Sequence, residues 1–196
     1  MGLALPLGLA SGARGDALNE RYASQFALET EIGAKASEAL FVGGYLGFGL
    51  GAEGRDERIE SFCDDDGSNA ENDIECSVVS LRIGVVGRWS FSPAESLNPW
   101  LAYGIGYESQ SQSINDRVVG RRETTMASGI EFARLSGGFD WRPGKTFGFG
   151  PMLEASLGSY TKTSTEVNGE TTFDGDVEDS AVHTWVTLGL RGVFFP

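Results

Sequence analysis

Long apolar runs are missing from this chain of 196 residues. No stretch reaches the eighteen or so apolar residues that a membrane-crossing helix needs. One histidine and two cysteines leave no second metal-type pair for a zinc site. Basic clusters are absent and the net charge is −13, so an electrostatic grip on nucleic acid is excluded. No phosphate-cradling glycine loop is present, and no cofactor is expected. Met1 leads into GLALPLGLA without a basic n-region, so no signal peptide is visible. If the protein is exported, its leader has already been removed. Prolines number only 6 against 28 glycines, and 40% of residues are hydrophobic, too apolar and too patterned for disorder.

What is present is alternation. LRIGVVGRW (81–89) places Leu81, Ile83, Val85, Gly87 and Trp89 on one face of a strand, with Arg82 and Arg88 on the other. The same period of two recurs in eight segments, at about 2–10, 25–35, 40–50, 78–89, 100–108, 129–141, 147–159 and 182–195. Most are 9–13 residues long, matching the roughly 9–11 residues of a tilted bilayer-crossing strand. The sixth segment changes phase at Ala133–Arg134, which reads as a bulge. Pro6 and Pro151 each remove a ladder donor.

The connections alternate. Residues 11–24, 51–77, 109–128 and 160–181 read as long loops, while 36–39, 90–99 and RPGKT read as shorter links. Segment 51–77 holds ten acids and two bases, and 161–180 holds six acids and one base. One rim is therefore strongly acidic. The remaining body charges balance, and most lie opposite the oily phase of their strand. A charge facing lipid at mid-depth costs about 2–4 kcal/mol, so an inward position is expected. The expected interior network is Arg82, Arg88 and Arg191 against Glu29, Glu31 and Glu154, with Arg88 nearer the short-turn end. Gly43, Gly47 and Gly49 share the inward phase with Tyr45 and leave room for long side chains. Trp89 and Trp100, Trp141 and Phe147, and Phe194 and Phe195 flank the short links and the C-terminus as an interfacial belt.

These features predict an all-β fold: one domain over 1–196, an eight-stranded antiparallel up-and-down transmembrane β-barrel with both termini on the periplasmic side. The whole chain resembles the small eight-stranded outer-membrane barrels of Gram-negative bacteria, the OmpA transmembrane-domain and OmpX type. Eight alternating strands, the long–short loop rhythm, charged lumen positions and a last strand with Val186, Leu188, Leu190, Gly192 and Phe194 carry the resemblance. It implies fold and an outer-membrane location, with outer-membrane lipid as the surrounding partner.

Chemistry is thin. His183 stands in AVHTWV, followed by Thr184 and Trp185, whereas barrel lipid-A deacylases resemble a His-x-Ser arrangement. It is expected to be a polar rim residue. Cys63 and Cys76 flank an acidic loop and suit a disulfide in an oxidising compartment; two separate thiols are the alternative. Asp64, Asp65, Asp66 and Asp73 in that loop raise a weak cation site, but the EF-hand spacing fails at Phe62 and Asp73, and a solvated acidic loop is the leading expectation. The leading expectation is a non-enzymatic barrel with a plugged lumen. Its acidic loops would serve envelope integrity, adhesion or docking of another envelope protein or extracellular ligand. A small pore and a rim-located lipid-modifying enzyme are the rivals.

Overall fold

Side chains of alternating character form strands because a pleated backbone sends neighbours to opposite faces. In the computed structural model, residues 1–11, 16–53, 74–144, 146–177 and 180–194 are described. The elements are β1 (Gly2–Ser11), β2 (Asp16–Ala17), α1 (Leu18–Arg21), β3 (Tyr22–Lys35), β4 (Leu40–Glu53), β5 (Ile74–Ser90) and β6 (Leu97–Asp116). They continue with β7 (Arg121–Trp141), β8 (Phe147–Val167), β9 (Glu170–Asp176) and β10 (Val182–Phe194). Pairing follows the order β10-β1-β3-β4-β5-β6-β7-β8, and β10 returns to β8, so an antiparallel sheet of eight strands closes in a ring. Two further strands, β9 on β8 and β2 on β1, extend the sheet beyond the eight expected.

The oily phase faces outward on every ring strand. Leu3, Leu5 and Leu7 of β1, Leu28 of β3, Phe48 of β4, Ile83 of β5, Ile105 of β6, Leu135 of β7, Leu153 of β8 and Leu190 of β10 are all exposed. The opposite phase turns inward. Arg88, Glu108, Glu131, Arg134, Asp140, Glu154 and His183 are buried there. One position departs from the expected belt. Trp89, Trp141, Phe147 and Phe194 are exposed on the outside, but Trp100 is 3% exposed and sits inside the ring. Its phase accounts for this: Leu101 and Tyr103 point out, so Trp100 must point in.

Two of the expected long loops are mostly hairpins. β6 and β7 stay in register up to Asp116–Arg121, and the turn between them is held by Asp116 Oδ1 accepting from Val118 N and Val119 N. β8 and β9 are joined by Asn168-Gly169, both with positive φ (53° and 84°), the conformation that makes Asn-Gly a tight hairpin turn. The short end is turned by Ser37, whose Oγ accepts from Leu40 N, and by Asn98, whose Oδ1 accepts from Ser92 N.

The phase change in β7 is a register shift against β8 between Glu131 and Ala133, as a bulge requires. The prolines fall where the ladder is already one-sided. β1 pairs with β3 only through Gly2, Leu3 and Ala4, so Pro6 has β10 as its ring neighbour on one side only. The β7–β8 pairing lapses between Gly138–Met152 and Trp141–Phe149, which is where Pro151 stands.

Tyr45 crosses the interior and needs two glycines. A Cβ on Gly84 would come within 2.6 Å of its ring, and one on Gly106 would collide with its hydroxyl. Gly87, on the same strand as Gly84, has nothing within 4 Å of its Cβ direction. Gly84→Val should therefore lower the urea midpoint of the folded protein by an amount worth about 1–3 kcal/mol, whereas Gly87→Val should leave it nearly unchanged. Equal midpoints for the two variants in a urea titration would contradict this packing.

Candidate functional site

The inward phase brings together charges from six strands. Arg134 of β7 is the hub. Its Nη2 donates to Glu29 of β3 and to Glu154 of β8, and its guanidinium carbon lies 4.2 Å from the centroid of the Tyr45 ring. Tyr45 Oη in turn donates to Glu131 Oε2 at 3.0 Å. Toward the short turns Arg88 pairs with Glu31. Arg191 Nη1 reaches both oxygens of Asp140, at 2.7 and 2.6 Å. Arg88 and Arg191 also lie 5.0 and 4.9 Å from the ring of Trp100. This is the physical use of an inward tryptophan: its indole ring is close to two guanidinium groups from different strands.

Toward the long-connection end the chemistry changes. Gln25 Nε2 donates to Gln110 Oε1 at 3.1 Å. His183 pairs with Glu108 and stacks on Tyr160 with ring centroids 4.1 Å apart. Arg82 approaches Glu108 at 4.0 Å and lies 5.4 Å from the Trp185 ring. Beyond them Leu18, Tyr22, Val78, Ala127, Tyr160 and Trp185 form an apolar and aromatic cluster. Leu18 belongs to α1, so this short helix is packed on the inward cluster at that end. Gly158 makes the His183–Glu108 contact possible, since a Cβ there would lie 2.9 Å from His183 Nε2 and would collide with Glu108.

A cavity of about 780 Å³ remains inside the ring. It is lined by Arg88, Arg134, Glu29, Glu31, Asp140 and Arg191, and it reaches Glu38 and Pro93 of the short turns. The cavity thus lies on the short-turn side of the apolar cluster.

The six residues expected in the network all point inward, yet they divide among partners differently from the expectation. Arg88 meets Glu31, but Arg82 is nearest Glu108, and Arg191 is held by Asp140. Glu29 and Glu154 share Arg134. Glu108 closes the fifth segment, and its phase, opposite to outward Tyr107, turns it inward although it is missing from the expected network. Arg134 was obscured by the bulge. The rim position expected for His183 is corrected: it is fully buried. Cys63, Asp64, Asp65, Asp66 and Asp73 lie outside the described residues, so the disulfide and weak-cation expectations fall there. Among the described residues no group of three or more metal-type ligands is assembled.

No protein-family model matches the chain, and no curated protein is significantly similar to it. Among solved structures it is similar to CarO of Acinetobacter baumannii, known from a crystal structure, with 12% identity over 99% of this chain and 97% of that one and a TM-score of 0.31. A likeness that loose carries no argument about function.

Arg134→Ala would leave Glu29 and Glu154 without their shared cation. The cost expected for breaking a buried pair is about 3–5 kcal/mol. Arg121→Ala removes only an exposed pair with Glu123 and should cost about 1 kcal/mol or less. Unfolding midpoints of the two variants, compared with the parent protein, check the difference.

Proposed function

We propose that this chain is an integral β-barrel of the Gram-negative outer membrane, non-enzymatic, with its lumen plugged by side chains and its acidic connections turned to the outside. The observation that carries this reading is the closed ring whose wall is apolar outside while arginine and carboxylate side chains pair inside. In water such a wall would be a continuous apolar surface far beyond the few hundred Å² a soluble monomer exposes. In a bilayer it is the expected lipid contact, and ring closure leaves few unpaired backbone groups in lipid. On this reading the short turns and termini face the periplasm. The connections at the other end, acidic at 51–77 and 161–180, face outward. They are suited to envelope integrity, adhesion or docking of a partner with a basic surface. A Cys63–Cys76 disulfide closing the most acidic of them belongs to the same proposal.

The plug is supported by the apolar cluster around Leu18, Tyr22, Tyr160 and Trp185, and by the paired charges below it. A second reading, a small pore, is favoured by the cavity of about 780 Å³ that reaches the short turns. Catalysis at the rim is disfavoured by the burial of His183 and Glu108, which leaves no histidine at the surface for a lipid substrate.

The folded protein should need detergent or lipid, run faster on gels before boiling than after, and stay electrically silent in a planar bilayer. A steady open conductance in the parent protein would overturn the plugged reading in favour of the pore. Stable folding as a monomer in plain buffer would overturn the membrane reading itself. Mass spectrometry of protein folded under oxidising conditions should show Cys63 and Cys76 joined, and two free thiols would remove the disulfide from the proposal.

A further inference from the structure

Arginine alone does not balance the inward carboxylates. Arg88 with Glu31 and Arg191 with Asp140 match one to one. The inward carboxylates left among the described residues are Glu29, Glu108, Glu131 and Glu154, and they share Arg134 and Arg82. Arg134 holds Glu29 and Glu154, while Arg82 stands 4.0 Å from Glu108 and interacts with Glu131 as well. Two further side chains complete the set. Tyr45 donates to Glu131, and His183 Nε2 meets Glu108 Oε1. Tyr45 can supply a hydrogen bond but no positive charge, whereas His183 can supply both.

The pair stands where the lumen closes. The cavity that reaches Glu38 and Pro93 at the short turns extends to Gln25, Ser80 and Arg82. Glu108 follows directly on Arg82, and His183 stacks on Tyr160 of the apolar cluster. Both members of the pair are 0% exposed. Replacing a buried ionic pair by well-packed apolar residues is often neutral or stabilising, so a plain seal has no need of one. Yet the ring makes room for it at Gly158, where a Cβ would lie 2.9 Å from His183 Nε2.

The Glu108 carboxylate assigns the proton of a neutral imidazole to Nε2, because that nitrogen must donate. Nδ1 has no hydrogen-bond partner among the described residues, so it is the atom that gains or loses a proton. The titratable groups around the pair are Arg82 of β5, Glu131 of β7, Tyr160 of β8 and Tyr22 of β3, with Arg134, Glu29 and Glu154 toward the short turns. The ring neighbour β1, which pairs with His183 through Gly8, contributes no titratable side chain.

We propose that His183 is a proton-operated gate, and that the barrel passes small inorganic cations when this gate loses its proton. With a proton on Nδ1, imidazolium and carboxylate form a charge-assisted bond, roughly twice as strong as a neutral one. The layer of Arg82, His183, Glu108 and Glu131 is then neutral. When Nδ1 gives its proton to solvent, the bond falls back to that of a neutral donor, and the same layer carries one uncompensated negative charge. Such a charge, cut off from water, draws water and a counter-ion toward it. The cavity brings both as far as Arg82, and Tyr160 moves with the ring on which it is stacked. A constriction ringed by carboxylates selects for cations. The inference rests on the plugged-barrel reading, and electrical silence becomes the property of the protonated plug.

The test is single-channel recording in a planar bilayer under a potassium chloride gradient, at about pH 5 and about pH 8, on either side of the usual imidazole titration. The parent protein is expected to show brief openings about tenfold more frequent at the higher pH, with a reversal potential that favours potassium. His183→Gln keeps a neutral donor for Glu108 and should open equally often at both pH values. Adding Glu108→Gln removes the surplus carboxylate and should silence the double variant at both, a rescue that loss of packing would not produce. Gel mobility before boiling shows whether each variant is folded; if either is not, the pH response and selectivity of the parent protein decide. A parent protein silent at both pH values would overturn the gate and leave the plugged reading standing. Openings that increase toward acid, a preference for chloride, or an unchanged pH response in His183→Gln would also overturn the gate. Steady open conductance at both pH values would instead mark failure of the plugged reading, and the gate would fall with it.

Discussion

Closing eight alternating strands into a ring puts every second side chain into a space only a few side chains wide, and the rest of the structure depends on that confinement. On the membrane reading the outer phase can be largely apolar, because a lipid solvent does not discriminate among Leu, Ile, Val and Phe. The inner phase has no such freedom. A charge there is largely cut off from water, so it must find a counter-charge, an aromatic face or a hydrogen-bond partner from another wall. Arg134 shows the constraint most fully, holding Glu29 and Glu154 from two different strands while lying on the Tyr45 ring. Small residues on facing strands are the condition for this, and Gly84, Gly106 and Gly158 each stand where a side chain from elsewhere in the ring passes.

The interior is graded along its axis. Near the short turns it is ionic and partly open, with Trp100 supporting Arg88 and Arg191. Near the long connections it becomes aromatic and closed, with His183 stacked on Tyr160 above Glu108. The two ends therefore do different physical work. The ionic part ties strands from opposite walls to one another, which resists shear between them. The apolar part excludes water and seats α1 through Leu18.

Much of this was legible in the sequence because period two is a local signal. The outward residues of all eight segments, the bulge near Ala133 and the inward direction of Glu29, Glu31, Arg82, Arg88, Glu154 and Arg191 follow from phase alone. Partner choice was not legible. Whether Arg82 meets Glu29 or Glu108 depends on shear between strands distant in sequence, which phase does not encode. Some misses did have a local signal. Trp100 is adjacent to outward Leu101, so its inward position was already implied, and the interfacial preference of tryptophan pulled the reading the other way. Asn168-Gly169 is a strong hairpin signature inside what was read as a loop. The burial of His183 had one too, since it shares the inward phase of Arg191 opposite Leu188 and Leu190, whereas the seat of Leu18 had none because it arises from contacts across the ring.

The central claim is that the odd-numbered phase of β5 faces lipid and the even-numbered phase faces the interior. A single-cysteine scan over residues 80–89, in protein with Cys63 and Cys76 replaced by Ser, tests it directly. Each cysteine is labelled with a fluorophore in lipid vesicles and quenched by a nitroxide carried on the lipid chains. Strong quenching is predicted at positions 81, 83, 85, 87 and 89 and weak quenching at 80, 82, 84, 86 and 88, a clean period of two. Uniform quenching along the strand, or quenching by a water-soluble agent at the odd positions instead, would contradict the account.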